Sequence, residues 1–132
     1  MKKIKSGFTL SELLLAAAIL VFVLAGLLAL FLNCMVLNDA NRNLTLATSH
    51  AEYVMEEIKN TAFTSIKSKI DNGDWDWNTT TIGSKGLTAL NNESIDTNAT
   101  STDPLDVTVT VIWKDRNARD RNIGLHSLFT NY

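Results

Sequence analysis

The 132-residue chain contains little cysteine, proline and histidine, and each shortage excludes a kind of structure. Cys34 is the only cysteine, so no intrachain disulfide can form, and a small domain must be stabilised by packing or by assembly. His50 and His126 have no cysteine, histidine or aspartate at ligand spacing, which predicts that the chain holds no metal. Pro104 is the only proline, so no proline interrupts a helix within residues 8–70.

The sequence also lacks the residue combinations that enzymes use. It shows no nucleophile with its base, no phosphate-binding loop and no pair of carboxylates expected in a rigid cleft. We therefore expect neither enzymatic activity nor a cofactor. The charge balance excludes broad binding of nucleic acid, which needs a basic face. Residues 1–7 hold three of the twelve Lys and Arg and none of the fourteen Asp and Glu, so the remainder has a formal charge of −5.

What the sequence does have is one long apolar run near its start. Residues 13–32 contain no charged and no polar side chain, and twenty residues of helix span about 30 Å, the thickness of a bilayer's hydrocarbon core. The lysines upstream, Lys2, Lys3 and Lys5, place the N-terminus in the cytoplasm by the positive-inside rule. We therefore expect a single pass through a membrane, with the rest of the chain outside the cytoplasm.

Glu12 distinguishes this segment from an ordinary anchor, because it places a carboxylate where the apolar run begins. A charge inside a membrane helix costs about 2.5–3.5 kcal/mol on insertion scales, so an acid here suggests a function. Two simpler interpretations remain open. A cleaved secretory signal has a shorter apolar core with a small-x-small exit, whereas the small residues here, 16–18, lie inside the run. A plain signal anchor explains the lysines and the length but gives Glu12 no role.

Residues 5–12, KSGFTLSE, resemble the class III signal of type IV prepilins and type II secretion pseudoprepilins. The resemblance covers about the first quarter of the chain and consists of a short basic leader, a glycine, an aromatic residue, a glutamate and a long apolar run, all in register. It implies that residues 1–7 are a leader and that a prepilin peptidase cuts after Gly7. It further implies that the new first residue, Phe8, is N-methylated and that Glu12 directs assembly.

The same resemblance implies partners and a location. The implied partners are the prepilin peptidase/N-methyltransferase, other pilins or pseudopilins, the inner-membrane assembly platform and membrane lipid. The subunit would first span the inner (cytoplasmic) membrane once, with its N-terminus in the cytoplasm and its C-terminal domain outside. It would then enter a pilus or pseudopilus filament, so that residues 8–32 serve as a transmembrane helix before assembly and as filament core afterwards.

Helical spacing continues beyond the apolar run. Apolar residues recur at steps of three, four or seven, which places them on one face of a helix. These residues are Leu37, Leu44, Ala47, Ala51, Val54, Ile58, Ala62, Ile66 and Ile70. The other face is polar and includes His50, Glu52 and Glu56, of which the two acids suggest a solvated or partner-facing surface.

The two patterns together predict one helix of about sixty residues and ~90 Å, with residues 33–70 as its amphipathic half. Such a helix would be the spine of a pilin. A lone glycine, Gly26, weakens it locally by about 1 kcal/mol relative to alanine. Cys34, at the outer end of the apolar run, is expected to be a buried small apolar side chain.

Turn residues at positions 71–74 are expected to end the helix, and residues 71–132 to form a small β domain with loops. Trp75 and Trp77 follow in an acidic loop, where paired tryptophans suit either a contact with a partner or a cover over the seam between helix and sheet. The spacing of Asp74, Asp76 and Asn78 resembles the opening of an EF-hand loop. The glycine and the bidentate acid that complete such a loop are missing, so we expect no calcium site there.

The next residues give weaker signals. A short strand is expected near residues 80–82 or 87–90, and the polar stretch 91–104 is expected to be a surface loop. Residues 114–121 are expected to form a loop that is locally basic, which suits either a solvated turn or contact with DNA or an acidic partner.

The clearest β signal is the alternation in residues 107–113, where Val107, Val109, Val111 and Trp113 share one face. A second strand at about residues 121–129 would pair with it as an antiparallel hairpin. The apolar face of that hairpin would pack on the helix side that carries Val54, Ile58 and Ile66. The expected fold class is therefore α+β, with a long N-terminal helical spine packed on a small antiparallel sheet at the C-terminus.

The Val-x-Val-x-Val-x-Trp strand, after the stretch AEYVMEEI at residues 51–58, resembles the minor pilin V and pseudopilin I group over about a third of the chain. This implies a minor pilin or pseudopilin, a structural subunit of a type IV pilus or of a type II secretion pseudopilus. Glu12 argues against the K type of tip pseudopilin, which lacks that acid. The alternative is a membrane-anchored binding module such as an adhesin or a DNA-uptake pilin, which should tolerate loss of Glu12 and of cleavage.

Overall fold

The computed structural model describes residues 7–131, and it confirms an α+β chain with a long N-terminal helix followed by a four-stranded antiparallel sheet. The leader lysines Lys2, Lys3 and Lys5 lie outside the described residues. The helices are α1 (Leu10–Lys59), α2 (Phe63–Asp71) and α3 (Thr79–Ser84). The strands are β1 (Trp77–Asn78), β2 (Ser94–Thr100), β3 (Leu105–Lys114) and β4 (Asp120–Phe129). The chain divides into two compact units, Met1–Asp39 and Ala40–Tyr132.

In the first unit, the described residues form the start of α1. This helix is long and apolar enough to cross a membrane, and every described side chain as far as Arg42 is exposed. The helix passes through Gly26 without interruption. Cys34 is exposed, so the expectation that it is buried is wrong for the chain alone. The reason is that none of the described residues of this unit packs against that part of the helix.

The predicted single helix up to Ile70 is interrupted: α1 ends at Lys59 and α2 begins at Phe63. Each residue turns an α-helix by about 100°, so two residues sixteen apart, such as Val54 and Ile70, would lie about 160° apart on a straight helix. Both are buried, and a straight helix would have to be covered on opposite sides to bury them; the interruption between Lys59 and Phe63 removes that need. Thr61 assists the break, because its hydroxyl donates to the Glu57 carbonyl and competes with regular helix bonding.

The second unit consists of the end of α1, the two short helices and the sheet. The strands lie in the order β1-β2-β3-β4, and every neighbouring pair is antiparallel. The inward side chains of β3 are buried in one core with Val54, Ile58 and Ile66. The predicted hairpin of β3 and β4 and its packing on this helix face are therefore confirmed.

Two local expectations were wrong. The expected short strand forms neither at residues 80–82 nor at residues 87–90. Residues 79–84 form helix α3 instead, because Asn78 caps it: its Oδ1 accepts the N–H groups of Thr80 and Thr81 at 3.0 Å each. Residues 94–100 form strand β2 rather than a loop. Only Ile95 and Ala99 of that strand are buried, and its remaining side chains are polar, so pairing with β3 and not its own hydrophobicity makes it a strand.

Candidate processing and assembly site

The N-terminal end of α1 carries a capping box made by Thr9 and Glu12. The Thr9 N–H and the Thr9 hydroxyl both donate to Oε2 of Glu12, each at 2.9 Å. In return the Glu12 N–H donates to the Thr9 hydroxyl oxygen at 3.4 Å. Thr9 is the residue before the first helical residue, Leu10, and Glu12 is the third helical residue, which is the spacing of a capping box. The Glu12 carboxylate is thus held beside the first turn of the helix.

The bond between Gly7 and Phe8 lies just before this cap, outside the helix. Both residues are exposed, and the Phe8 side chain is 88% exposed. A Cβ added to Gly7 would meet nothing within 4 Å, and the backbone there does not adopt a left-handed conformation. Nothing in the described fold therefore requires a glycine at this position. A requirement for glycine would have to come from an enzyme that binds and cleaves the chain here.

The capping box was missed by the sequence reasoning, although the signal was present. Thr9 and Glu12 form the pattern Thr-x-x-Glu just before an apolar run, which indicates a helix start. In the uncleaved chain Glu12 therefore already has a partner, Thr9. Both bonds from Thr9 go to one of its two oxygens, and a carboxylate has about four acceptor positions, so the cap leaves capacity for a further donor.

Trp75 and Trp77 belong to the second unit and are not part of this site. They are 4% and 3% exposed and lie in its hydrophobic core. Their burial fits the other alternative, in which the rings cover the seam between helix and sheet, and it leaves little of either ring open to a partner. Trp77 has Tyr53 beside its ring at 5.9 Å between centroids, and the Lys85 ammonium lies 4.2 Å from the Trp77 centroid.

A second contact that sequence reasoning missed is a buried pair between His50 and Glu93. Nδ1 of His50 lies 2.6 Å from Oε1 of Glu93, and the other Glu93 oxygen accepts the Leu90 N–H at 2.6 Å. The sequence pattern places His50 on the polar face of the helix, which is wrong. His50 lies three residues after Ala47 and four before Val54, so it shares their side of the helix and is buried with them. That spacing could have indicated that His50 is buried. The burial of Glu93 could not be foreseen, because Glu93 lies in a polar stretch.

Two of the three residues with EF-hand-like spacing use their side chains to bind other parts of the chain. Oδ1 of Asp76 accepts the Thr97 N–H at 2.8 Å and the Thr97 hydroxyl at 2.9 Å, and Asn78 caps α3. Within residues 7–131 there is no group of three or more His, Cys, Asp or Glu residues placed to hold a metal ion.

Comparison with known proteins concerns the same end of the chain. A family model described as the prokaryotic N-terminal methylation motif matches residues 2–28. Neither the search of curated proteins nor the search of solved structures found a match. The matched segment contains the exposed Gly7–Phe8 bond, the capped Glu12 and the first part of the apolar helix. The chain therefore carries a prokaryotic N-terminal methylation motif, the class III signal of type IV pilins and pseudopilins.

Proposed function

We propose that the chain is a minor pilin or minor pseudopilin, a structural subunit of a type IV pilus or of a type II secretion pseudopilus. The observation that carries this proposal is the match of residues 2–28 to the methylation motif. The geometry supports it, because the Gly7–Phe8 bond is exposed and residues 13–32 of the helix that follows are all apolar and exposed. The minor V or I subtype is supported by the looser resemblance of residues 51–58 and of strand β3.

The apolar helix would act in two environments. Before assembly its side chains would lie in lipid, with the N-terminus in the cytoplasm and residues after the membrane segment outside it. After assembly the same side chains would pack against the helices of neighbouring subunits. Both environments replace water around leucine, isoleucine, valine and phenylalanine side chains, so one sequence can serve both without refolding.

Cleavage would prepare the N-terminus for this transfer. Cutting after Gly7 leaves a free amine on Phe8, which is cationic at neutral pH. Glu12 is the one acid near this end of the helix, and its carboxylate can accept the amine of its own chain or that of a neighbour while Thr9 remains bound. Only a pair between two subunits would favour one axial offset between their helices.

Processing is tested by intact-mass analysis of protein extracted from membranes of cells that contain a prepilin peptidase. We expect a mature chain that starts at methylated Phe8. Gly7→Leu should leave the full-length chain, because the enzyme would have to accept a bulky residue before the cut. Gly26→Leu is the matched control, since an added Cβ at Gly26 also meets nothing within 4 Å. A mature mass for Gly7→Leu, or a wild-type chain that still starts at Met1, would refute the proposal.

A further inference from the structure

The two edges of the sheet differ in how far their backbone groups are already paired. On one side β1 pairs with only two residues of β2, and Asp76 then closes the edge by accepting both the N–H and the hydroxyl of Thr97. On the other side β4 pairs with β3 along ten residues, and no strand in the described part of the chain pairs with its outer edge. An open edge presents a row of backbone donors and acceptors to another chain.

Beyond its first two residues, Asp120 and Arg121, strand β4 carries none of the usual devices that protect such an edge. Residues 122–129, NIGLHSLF, include no proline and no Asp, Glu, Lys or Arg. Natural proteins protect edge strands with inward charges, lysines, prolines or bulges, and an uncharged open strand of eight residues readily pairs with another strand. The β4 edge is therefore suited to pairing.

The inner face of β4 is also incompletely covered. Its inward side chains Ile123, Leu125 and Phe129 are only half-buried, whereas their partners on β3, such as Val109 and Val111, are fully buried. A further strand beyond β4 would place its own side chains beside these three and extend the core by one row. Apolar residues on that strand would thus gain burial together with the main-chain hydrogen bonds.

The positive charge of the hairpin tip indicates the chemistry of a segment that would bind at the start of β4. The hairpin tip holds Lys114, Arg116, Arg119 and Arg121 against Asp115 and Asp120, a formal charge of +2 in a chain whose total is −2. Arg121 lies on the inner face, opposite Trp113, and its Nε–H contacts Asp115 at 3.3 Å. A guanidinium has five N–H donors, so Arg121 can bind a second carboxylate.

We propose that β4 binds an extended segment of a different protein by antiparallel strand addition. This segment has apolar side chains opposite Phe129, Leu125 and Ile123 and an acidic side chain opposite Arg121. Antiparallel addition continues the pairing of the whole sheet and is slightly more stable per residue than parallel pairing. A second copy of β4 does not fit this description. Its only acid is its first residue, Asp120, which can lie opposite Arg121 only in an antiparallel register that leaves the rest of both strands unpaired.

The test uses the full chain in detergent and the acetylated, amidated peptide LTTTVTVTE, whose residues one, five, seven and nine would lie opposite Phe129, Leu125, Ile123 and Arg121. Fluorescence anisotropy of a copy of the peptide that carries a fluorophore in place of the acetyl group measures binding, and amide hydrogen exchange reports which residues become protected. Two N-methylated peptides serve as matched controls, one methylated at the odd and one at the even positions. Their side chains are identical, but only one of them loses the N–H groups that face β4.

We expect the peptide to bind, to slow exchange at alternate amides of β4, and to lose about tenfold or more in affinity in only one of the two N-methylated forms. Leu125→Lys should abolish binding, whereas His126→Lys, the same change on the outer face, should not. Replacing the peptide's glutamate by lysine should weaken binding to the wild type more than to Arg121→Gln. Equal behaviour of the two N-methylated peptides, or no protection in β4, would overturn the proposal. A dimer of the full chain with β4 protected in the absence of peptide would also overturn it, in favour of a second copy as the occupant.

Discussion

At the scale of single residues, the contact between His50 and Glu93 joins two distant segments of the second unit. Both side chains are buried, and both Glu93 oxygens have partners, since one shares a hydrogen bond with Nδ1 of His50 and the other accepts the Leu90 N–H. The Lys114 N–H also donates to the Asn91 carbonyl at 2.8 Å, which binds the same turn to the end of β3. The pair therefore connects helix α1 to the turn from which β2 begins.

Removing one member of this pair should be costly. His50→Ala would leave the Glu93 carboxylate buried without its partner, and we expect it to lower the free energy of unfolding by about 3–5 kcal/mol. His126→Ala is the control, because His126 is exposed, and it should change stability by about 0.5 kcal/mol or less. Urea unfolding of the full chain in detergent, followed by tryptophan fluorescence, measures both, since all three tryptophans are buried in the second unit. Similar values for the two variants would show that the buried pair does not stabilise the fold.

Asp115 organises the hairpin tip in a comparable way. Its Oδ1 accepts the N–H groups of Asn117 and Arg119, and its Oδ2 accepts the Nε–H groups of Arg119 and Arg121. The backbone hydrogen bond from Arg119 is the main cause that lowers the pKa of Asp115 from 3.8 to about 2, with the Asn117 bond and the Arg119 charge adding to it. The ionised carboxylate is therefore favoured by the folded hairpin.

This lowered pKa predicts a pH dependence of the hairpin tip. Because the folded pKa lies below the unfolded one, the carboxylate stabilises the tip fully above about pH 3.8, and this contribution is lost as the pH falls through about 2. NMR titration should show the Asp115 carboxyl carbon and the amides of Asn117 and Arg119 changing together near pH 2. Asp115→Asn should abolish that common transition. A midpoint near 3.8 for Asp115 would mean that these hydrogen bonds do not form in solution.

At the scale of elements, strand β3 is the centre of the sheet and the best test of the core. Its side chains alternate strictly between buried and half-buried, and Trp113 at its end is 5% exposed. We expect Trp113→Ala to lower the free energy of unfolding by about 3–5 kcal/mol, the usual loss for a buried aromatic side chain. Ile112→Ala, the neighbouring change on the outer face, should cost clearly less. Urea unfolding followed by circular dichroism compares them, and a change well under 1 kcal/mol for Trp113→Ala would show that this ring does not contribute to the core.

The break between α1 and α2 shows that the length of a helix depends on which of its side chains are buried in the core. No proline or glycine lies in residues 60–62, so the local sequence contains no strong stop signal. On a helix, residues four apart are rotated by about 40° around the axis relative to each other. The four such steps from Val54 to Ile70 add up to about 160°, which is more than one face of a helix covers. The chain changes direction there, and Ile66 and Ile70 reach the core from α2.

At the scale of the whole molecule, the question is how the N-terminal end contributes to assembly. Under the proposed function, Glu12→Ala should leave membrane insertion and cleavage intact but strongly reduce incorporation into filaments. Removing one partner of a desolvated ion pair costs about 3–5 kcal/mol, whereas an exposed pair is worth ~1 kcal/mol or less. Cross-linking of neighbouring subunits through the exposed Cys34, beside an assay of processing, measures the two properties separately.

Two further variants separate the roles of Glu12. Glu12→Gln can keep the capping box with Thr9, since glutamine also serves at that position, but it loses the charge. We therefore expect Glu12→Gln to fail in assembly as Glu12→Ala does. Glu52→Ala removes an exposed acid farther along the same helix and should assemble normally. Normal incorporation of Glu12→Gln would mean that the helix cap, rather than the charge, is what assembly needs.

Several features could be predicted from the sequence because their signals are local. The motif of residues 5–12, the apolar run and the alternation in residues 107–113 each lie within one continuous segment and follow the period of a single element. The capping box of Thr9 and Glu12 could have been predicted in the same way, since it depends on residues only three apart. The sequence by itself therefore determined the membrane helix, its processing signal and the β3–β4 hairpin.

Other features were decided only by the tertiary structure, because their partners are distant in sequence. Glu93 is buried by a histidine forty-three residues away, and the polar strand β2 exists because β3 offers it backbone hydrogen bonds along its length. The burial of Trp75 and Trp77 and the open edge of β4 likewise depend on which segments pack beside them. No local pattern encodes such contacts, since burial and edge position are properties of the assembled core and not of the segment that carries them.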